Sequence, residues 1–229
     1  MAVAKVQEAH GTSDSTSALT VAITATTGNL LIVAASVGAA AINSISDGVN
    51  TWTAVTVSGG SANCKIWYAK NITGGALSVV FTLSASAAVC ASIMEFSGAD
   101  LPTPIRTSVT AHGTTTAESV GPTGAALATD YAVAAICLIG NGTAQSLDSR
   151  AFSTALASQT DEALVHTTNG TGSSGRMFAG FSHGPVAGPN TETFTGTINN
   201  VTPGGPTWST VLFLLQVPVV ASSGFMGFV

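Results

Sequence analysis

Charged side chains are scarce in this sequence. Of its 229 residues only 7% are Asp, Glu, Lys or Arg, whereas a typical soluble domain is about a quarter charged. Six basic residues against eleven acidic ones give a net charge of −5, which excludes the basic surface that nucleic-acid binding requires. A chain that is 45% hydrophobic is also too apolar for an ordinary disordered protein. The composition therefore predicts a folded domain with few ion pairs.

Long apolar segments and paired cysteines are missing as well. The longest apolar run, residues 30–42, is shorter than the roughly 20 residues of a membrane-spanning helix. The N-terminal residues lack the apolar core of a secretory signal. Cys64, Cys90 and Cys137 are odd in number and form no Cys-x-x-Cys pair, which predicts buried free thiols without a disulfide framework. We expect neither a membrane nor a nucleic-acid partner.

The residues that are abundant predict β-structure. Ser and Thr supply about a quarter of the chain, and turn-forming clusters recur roughly every 8–12 residues, as in sandwiches and barrels. Residues 146–159 are the only stretch that suggests a short helix. We predict an all-β fold, a two-sheet antiparallel sandwich of the jelly-roll type. The predicted strands are 3–9, 19–24, 29–37, 51–57, 64–70, 77–84, 89–96, 131–139, 163–167, 176–182, 191–197 and 208–217.

The sequence also contains an internal half-repeat. Residues 129–135 (TDYAVAA) resemble residues 29–35 (NLLIVAA) at an offset of 100, and three later segments match in the same order. We predict one domain over 1–217 with similar halves, about 1–100 and 101–217, and an apolar tail over 218–229. The halves either form the two sheets of one sandwich, which we favour, or fold as tandem domains.

Residues that commonly carry catalysis or bind metals are present but scattered. The histidines show no metal-binding or nucleophile–base spacing, so we interpret them as loop or surface residues. No phosphate-binding glycine motif or nucleophile elbow occurs. The sequence therefore predicts no catalytic residue, no bound metal and no cofactor. The four histidines are His10, His112, His166 and His183.

Glu95 is the most unusual of the acidic residues because it interrupts an apolar strand, Ile93 to Phe96. Glycosidase chemistry needs two facing carboxylates, and only this one stands out. We favour a rim or interface position for Glu95, paired with one of the few cations. Examples of such cations are Lys65, Lys70 and Arg106.

Asp47-Gly48 is typical of a hairpin turn, because Gly tolerates a positive φ there. A calcium loop is the alternative, but its full set of ligands is missing. Asn141-Gly142 and Asn169-Gly170 suggest the same kind of turn.

The aromatic residues and the C-terminal end offer two candidate binding features. Trp52, Trp67 and Trp208 would suit a sugar-stacking platform, but each lies in an alternating strand, which favours a core or interface position. The C-terminal residues have no charge, and apolar ends of this kind dock into grooves. We predict partner docking by this tail, with self-docking as the alternative. The tail residues concerned are Phe225, Met226, Phe228 and Val229.

Five motifs in the first half resemble a β-sandwich family that is common among bacteriophage structural proteins and some bacterial surface proteins. They are 27–34 (TGNLLIVA), 45–52 (ISDGVNTW), 66–71 (IWYAKN), 75–82 (GALSVVFT) and 95–98 (EFSG). The resemblance spans about 19–100, with a weaker echo to Val217. It implies a non-enzymatic protein of the virion surface or tail, made in the bacterial cytoplasm.

Three functional hypotheses follow. The first is a phage capsid decoration, head fibre or tail component that forms a homo-oligomer and binds other virion proteins. The second is a carbohydrate-binding or adhesin module that recognises a host glycan. The third, a glycosidase or lyase, requires facing carboxylates.

Overall fold

The computed structural model describes residues 1–57, 60, 63–140, 146–153, 156–167, 177–199 and 206–218. Within these ranges the chain forms fifteen β-strands and no helix, which confirms the predicted all-β antiparallel sandwich. The short helix suggested for 146–159 is wrong, because this stretch begins with a strand. The strands are β1 (Ala4–Ala25), β2 (Leu30–Val37), β3 (Ile42–Ser46), β4 (Thr53–Val55), β5 (Cys64–Ala69), β6 (Gly75–Ser97), β7 (Ile105–Gly113), β8 (Ala117–Val120), β9 (Tyr131–Ile139), β10 (Ser146–Phe152), β11 (Thr160–Asp161), β12 (Val165–His166), β13 (Met177–Pro185), β14 (Phe194–Asn199) and β15 (Thr207–Leu215).

The first half is organised around its two longest strands, β1 and β6, which pair along their length with register shifts between Ser13 and Ala18. Beyond the shifts, the second part of β1 pairs with the first part of β6, which also carries β3. The first part of β1 pairs with the second part of β6, and from β6 the sheet extends through β2 and β5 to β4. The front layer consists of β1 up to Ser13, β6 from Val89 onward, and strands β2, β5 and β4. The back layer consists of β1 from Ala18 onward, the first part of β6, and β3.

The second half repeats this strand order. Its front layer runs β7-β15-β9-β13-β11, with β12 also on β13, and its back layer runs β10-β14-β8. Each strand of the first half therefore has a counterpart: β2 corresponds to β9, β5 to β13, and β6 to β14 followed by β15. In the described residues, no strand of one half pairs with a strand of the other. The halves meet face to face through their front layers.

The central core of the molecule lies between the two front layers. In this shared core β2 faces β9, β6 faces β13 and β5 faces β15. Since β13 is the counterpart of β5 and β15 of β6, an approximate twofold axis relates the halves. Large side chains that the two halves bury here include Leu30, Ile32, Met94, Phe96, Phe181 and Phe213.

Each half also has a core of its own, between its front and back layers. Strand β2 shows why its sequence is continuously apolar: Leu30 and Ile32 enter the shared core, while Leu31 and Val33 enter the core of the first half. A strand that is covered on both faces cannot alternate between apolar and polar residues. The molecule therefore has four stacked layers and three cores, with the shared core in the middle.

Candidate functional site

Glu95 is fully buried at the end of β6 and serves as an acceptor for three donors. Its Oε1 accepts hydrogen bonds from the backbone N–H of Thr26 at 2.8 Å and from Nδ2 of Asn29 at 2.6 Å. Its Oε2 accepts one from Nε2 of Gln7 at 2.6 Å. The predicted pairing of Glu95 with a cation is therefore wrong. Amide donors satisfy both buried carboxylate oxygens, so the carboxylate is not open to a substrate.

Asp130 holds the equivalent turn in the second half. It is buried directly before β9, and its Oδ2 accepts the backbone N–H of Leu127 at 2.9 Å. Arg106 donates to both carboxylate oxygens, at 2.7 and 3.1 Å. The turn 127–130 thus corresponds to the turn 26–29, and in each turn a backbone N–H donates to a buried carboxylate. Both acids therefore stabilise turns.

Asp47 lies in a turn, as the sequence predicted, and Gly48 has φ of 80°. The carboxylate accepts the backbone N–H of Val49 and both the backbone N–H and Nδ2 of Asn50, at 2.7–3.1 Å. Burial opposes ionisation, but these hydrogen bonds outweigh it and lower the pKa of Asp47. The turn joins a back-layer strand to a front-layer strand, so it is not a hairpin. Asn141-Gly142 and Asn169-Gly170 lie outside the described residues, as do Phe225, Met226, Phe228 and Val229 of the tail.

The tryptophans do not form a common platform. Trp67 is buried in the core of the first half, and Trp208 in that of the second, where its Nε1 donates to the carbonyl oxygen of Thr115 at 3.2 Å. Trp52 packs against the edge of the first core. The core position that the sequence favoured is confirmed for Trp67 and Trp208. Glycan binding stays a prediction without a stacking surface built from these three rings.

All three cysteines are buried, free and located in the shared core. Cys64 and Cys90 flank Ser36 on the strands either side of it, and Cys137 faces them from β9. Burial raises the pKa of Cys64 to about 12 and raises the pKa of the other two thiols as well. The thiols are therefore protonated, and the prediction of buried small hydrophobes is confirmed.

Glu118 is the most unusual acid in the second half. It is 2% exposed in β8, where Oε1 accepts the hydroxyl of Thr210 and Oε2 has no hydrogen-bond partner in the described part of the chain. Burial raises its pKa to about 8, although the charge of Arg150 partly offsets this effect. The carboxyl group is therefore protonated near neutral pH and acts as a neutral member of the core.

A polar network joins the two halves at one side of the shared core. The hydroxyl of Tyr131 lies 2.7 Å from Nδ1 of His183, whose Nε2 lies 2.9 Å from Oε1 of Glu162. The same Oε1 accepts from Lys5 of the first half, and Lys5 also contacts Glu8 at 3.2 Å. We call this set the boundary network.

Sequence reasoning missed the boundary network. It treated all four histidines as loop or surface residues, which is wrong for His183, since only 3% of that residue is exposed. His10, His112 and His166 are exposed as predicted. The network residues come from distant parts of the chain, so no local spacing identifies them.

The electrostatics of the boundary network favour proton retention by Tyr131. Burial and the charge of Glu162 raise the pKa of Tyr131 to about 12. Burial lowers the pKa of His183, and the hydrogen bond to Glu162 offsets this only in part. Tyr131, His183 and Glu162 follow one another in the order of a nucleophile, a base and an acid that orients the base. The raised pKa of the Tyr131 hydroxyl, however, disfavours the deprotonation that a nucleophile needs.

A cavity of about 360 Å³ lies beside the network at the same end of the boundary. Its walls include Val3, Tyr131, Pro185 and Val217, so both halves contribute to it. The cavity is mainly apolar, and the chain leaves it at Val217 towards the C-terminal residues.

Among the residues that the structure describes, no group of three or more His, Cys, Asp or Glu side chains is arranged to hold a metal ion. The same residues include no helix that is long and apolar enough to span a membrane. No family model, curated protein or solved structure matches this chain. The function is therefore argued from the residues and their geometry.

Proposed function

We propose that this protein is a non-enzymatic structural subunit of a phage particle surface, as a capsid decoration, head fibre or tail component. In this role it assembles with other virion proteins and with copies of itself. The proposal combines the resemblance of the first-half motifs with the chemistry of the outer surface.

The observation that carries the proposal is the outer face of the back layer in the first half. Its exposed residues are small or hydroxyl-bearing, and none of them is charged. Neutral faces can pack in a repeated array without like-charge repulsion. The exposed residues are Ala18, Thr20, Ala22 and Thr24 of β1, Asn43, Ser44 and Ser46 of β3, and Ala76, Ser78 and Thr82 of β6.

Acids with partners inside the fold support a structural role as well. Glu95 and Asp130 stabilise corresponding turns, and Glu162 joins one half to the other. These carboxylates have partners within the fold, so they give no support to the glycosidase hypothesis, which needs two facing acids at a substrate.

Light scattering after size-exclusion chromatography tests the assembly. We expect a mass that is a multiple of 22.6 kDa, and we expect Thr20→Lys combined with Thr82→Lys to dissociate it. Thr12→Lys, on an exposed position of the front part of β1, is the matched control and should leave the mass unchanged. A wild-type monomer at all concentrations would count against self-assembly.

Immunogold labelling tests the location separately. An antibody against the chain should decorate intact phage particles produced from the genome that encodes it. Particles that carry no label and contain no copy of the chain by mass spectrometry would overturn the virion assignment.

The C-terminal tail remains a predicted docking segment. Deleting residues 219–229 should lower the assembled mass if Phe225, Met226, Phe228 and Val229 dock into a partner. An unchanged mass, with lower thermal stability of the subunit, would instead indicate docking of the tail onto its own chain.

A further inference from the structure

One carboxylate oxygen of the boundary network is shared between a contact across the halves and a contact within the second half. Oε1 of Glu162 accepts from Nζ of Lys5, which lies on β1 of the first half. The same oxygen lies 2.9 Å from Nε2 of His183, which lies on β13 of the second half. Any change in the charge of His183 therefore acts directly on the ion pair that links the two halves.

We propose that Lys5, Glu162, His183 and Tyr131 form a pH-sensitive latch that keeps the front layers closed at neutral pH and loosens them when His183 is protonated.

The hydrogen-bond distances fit a neutral imidazole. With the proton on Nε2, His183 donates to Glu162 while Nδ1 accepts from the Tyr131 hydroxyl at 2.7 Å. This single tautomer satisfies every partner. A second proton on Nδ1 would make the Tyr131 hydroxyl an acceptor, so the hydroxyl proton would lose the acceptor that it now has. A buried donor without an acceptor is costly.

Ring contacts transmit that conflict to the first half. The Tyr131 ring stacks on His183 with centroids 5.8 Å apart, and both rings make edge contacts with Phe96 at 5.9 and 6.2 Å. Phe96 belongs to β6 of the first half. A displacement of the Tyr131 or His183 ring would therefore alter packing between the halves.

Protonation of His183 also weakens the ion pair between Lys5 and Glu162. A protonated His183 neutralises Glu162 from within the second half, so Lys5 competes with a second cation for the same carboxylate oxygen. Lys5 then also lies close to a new positive charge. The attraction across the halves is replaced in part by repulsion.

The other charged groups around the network have partners of their own. Arg150 donates to the backbone carbonyl oxygens of Glu162 and Phe181, at 2.9 and 3.2 Å, and pairs with Asp161. Glu8 contacts Lys5 on β1. The charged and titratable groups facing His183 are thus Lys5, Glu8, Tyr131, Arg150, Asp161 and Glu162.

The burial of His183 determines whether acid favours the open or the closed boundary. Burial lowers its pKa below 6.5 in the closed state, whereas an opened boundary exposes it to water. The open state therefore binds the proton more tightly, and opening becomes more favourable as the pH falls below about 6.5. The opening constant rises by up to about tenfold per pH unit until the closed-state pKa is reached.

The cysteines and tryptophans provide an internal readout. All three thiols lie in the shared core, whereas Trp67 and Trp208 lie in the separate cores of the halves. Thiol reactivity towards 4,4′-dithiodipyridine, divided by that of the unfolded chain at each pH, reports opening of the boundary. Tryptophan emission reports unfolding of either half.

We expect thiol reactivity of the full chain to rise by up to about tenfold per pH unit between pH 6.5 and 5.5 while tryptophan emission stays unchanged. His183→Gln should abolish the rise. His166→Gln, which replaces an exposed histidine on neighbouring β12, should retain it. Flat thiol reactivity in the wild type, a rise that persists in His183→Gln, or a simultaneous change in tryptophan emission would each overturn the proposal.

Lys5→Met provides a second variant in case His183→Gln does not fold. Removing the Lys5 charge removes one group that disfavours protonation of His183 and deletes the link across the halves. We expect higher thiol reactivity at neutral pH and a rise that still begins near pH 6.5 but is smaller and levels off at a higher pH, because the closed-state pKa of His183 then lies nearer its ordinary value. An unchanged profile would contradict the latch.

Discussion

The hydroxyl of Ser36 donates a 2.6 Å hydrogen bond to the carbonyl oxygen of Phe178, which crosses the shared core from β2 to β13. Both groups are buried, and Ser36 has no exposed surface. A polar contact at this depth fixes how the two front layers lie against each other. It leads to the first prediction.

Ser36→Ala should lower the free energy of unfolding by about 1–3 kcal/mol, because it removes the donor that satisfies the buried oxygen. Ser182→Ala is the matched control, since the Ser182 hydroxyl is equally buried but has no hydrogen-bond partner among the described residues. That change should be neutral or stabilising. Equal losses for the two variants in urea denaturation would contradict the assignment.

Glu95→Ala should destabilise the protein by about 2–4 kcal/mol, because it empties a fully buried site and removes the carboxylate that accepts from Gln7, Thr26 and Asn29. Asp47→Ala also removes three hydrogen bonds, but in a partly exposed turn, and should cost about 1 kcal/mol. Chemical denaturation compares the two variants. A loss below 1 kcal/mol for Glu95→Ala would show that the turn 26–29 does not depend on it.

Gly28 and Gly98 both have a positive φ, of 87° and 74°, but differ in their surroundings. A Cβ on Gly28 meets open space, so Gly28→Ala should cost about 1–2 kcal/mol from backbone strain alone. A Cβ on Gly98 would overlap the carbonyl oxygen of Ala2, so Gly98→Ala should cost about 3 kcal/mol or more. Thermal unfolding of both variants tests the order, and the reverse order would contradict the close approach of Ala2 to Gly98.

Glu118 should make the protein less stable as the pH rises. Its pKa is raised to about 8 in the folded state, so the folded chain keeps a proton that the unfolded chain loses above about pH 4.5. Between these values the free energy of unfolding should fall by up to about 1.4 kcal/mol per pH unit.

Glu118→Gln should remove this decline and exceed wild-type stability at pH 8 by about 2–4 kcal/mol. Asp148→Asn, at an exposed position of β10 in the same half of the molecule, should preserve the decline. Urea denaturation between pH 5 and 8 measures both. His183 acts in the opposite direction below about pH 6.5, because its lowered pKa makes protonation favour the unfolded or opened chain. A wild-type profile that is flat from pH 6.5 to 8 would contradict the role of Glu118.

Much of the strand layout could be predicted because side chains alternate along a strand. The continuous run in β2 signals burial on both faces, and its two sets of residues do enter two different cores. Residues 146–152 were harder, because Ser, Asp and Ala next to only two large apolar residues give a weak period. Pairing with β14, which is remote in the chain, makes this segment a strand.

The half-repeat shows a limit of sequence comparison. An offset of 100 aligns Leu31 with Tyr131, but the structure places Leu30 and Tyr131 in the shared core and Leu31 with Ala132 in the separate cores. The structural offset is therefore 101. A shift by one residue exchanges the two faces of a strand. Because both faces of β2 and β9 are apolar, composition could not reveal the error.

The candidate site depended on information that the sequence does not carry locally. Lys5 and Glu162 are separated by 157 positions, and they meet only because β1 lies opposite β12 when the front layers pack. Glu95 was correctly recognised as unusual, but its partners are amides on a turn that only the fold brings near. Spacing rules detect neighbours within one element, not across a layered structure.

The approximate twofold axis has a consequence for how such a subunit would be oriented. Turning the molecule by half a revolution about that axis exchanges strands that hold the same place in the two front layers, so strand order alone would not distinguish the two poses. Side chains do distinguish them, and Lys5 with Glu162 marks one margin by charge. A neighbouring subunit that contacts this charged margin would bind the protein in one of the two orientations only.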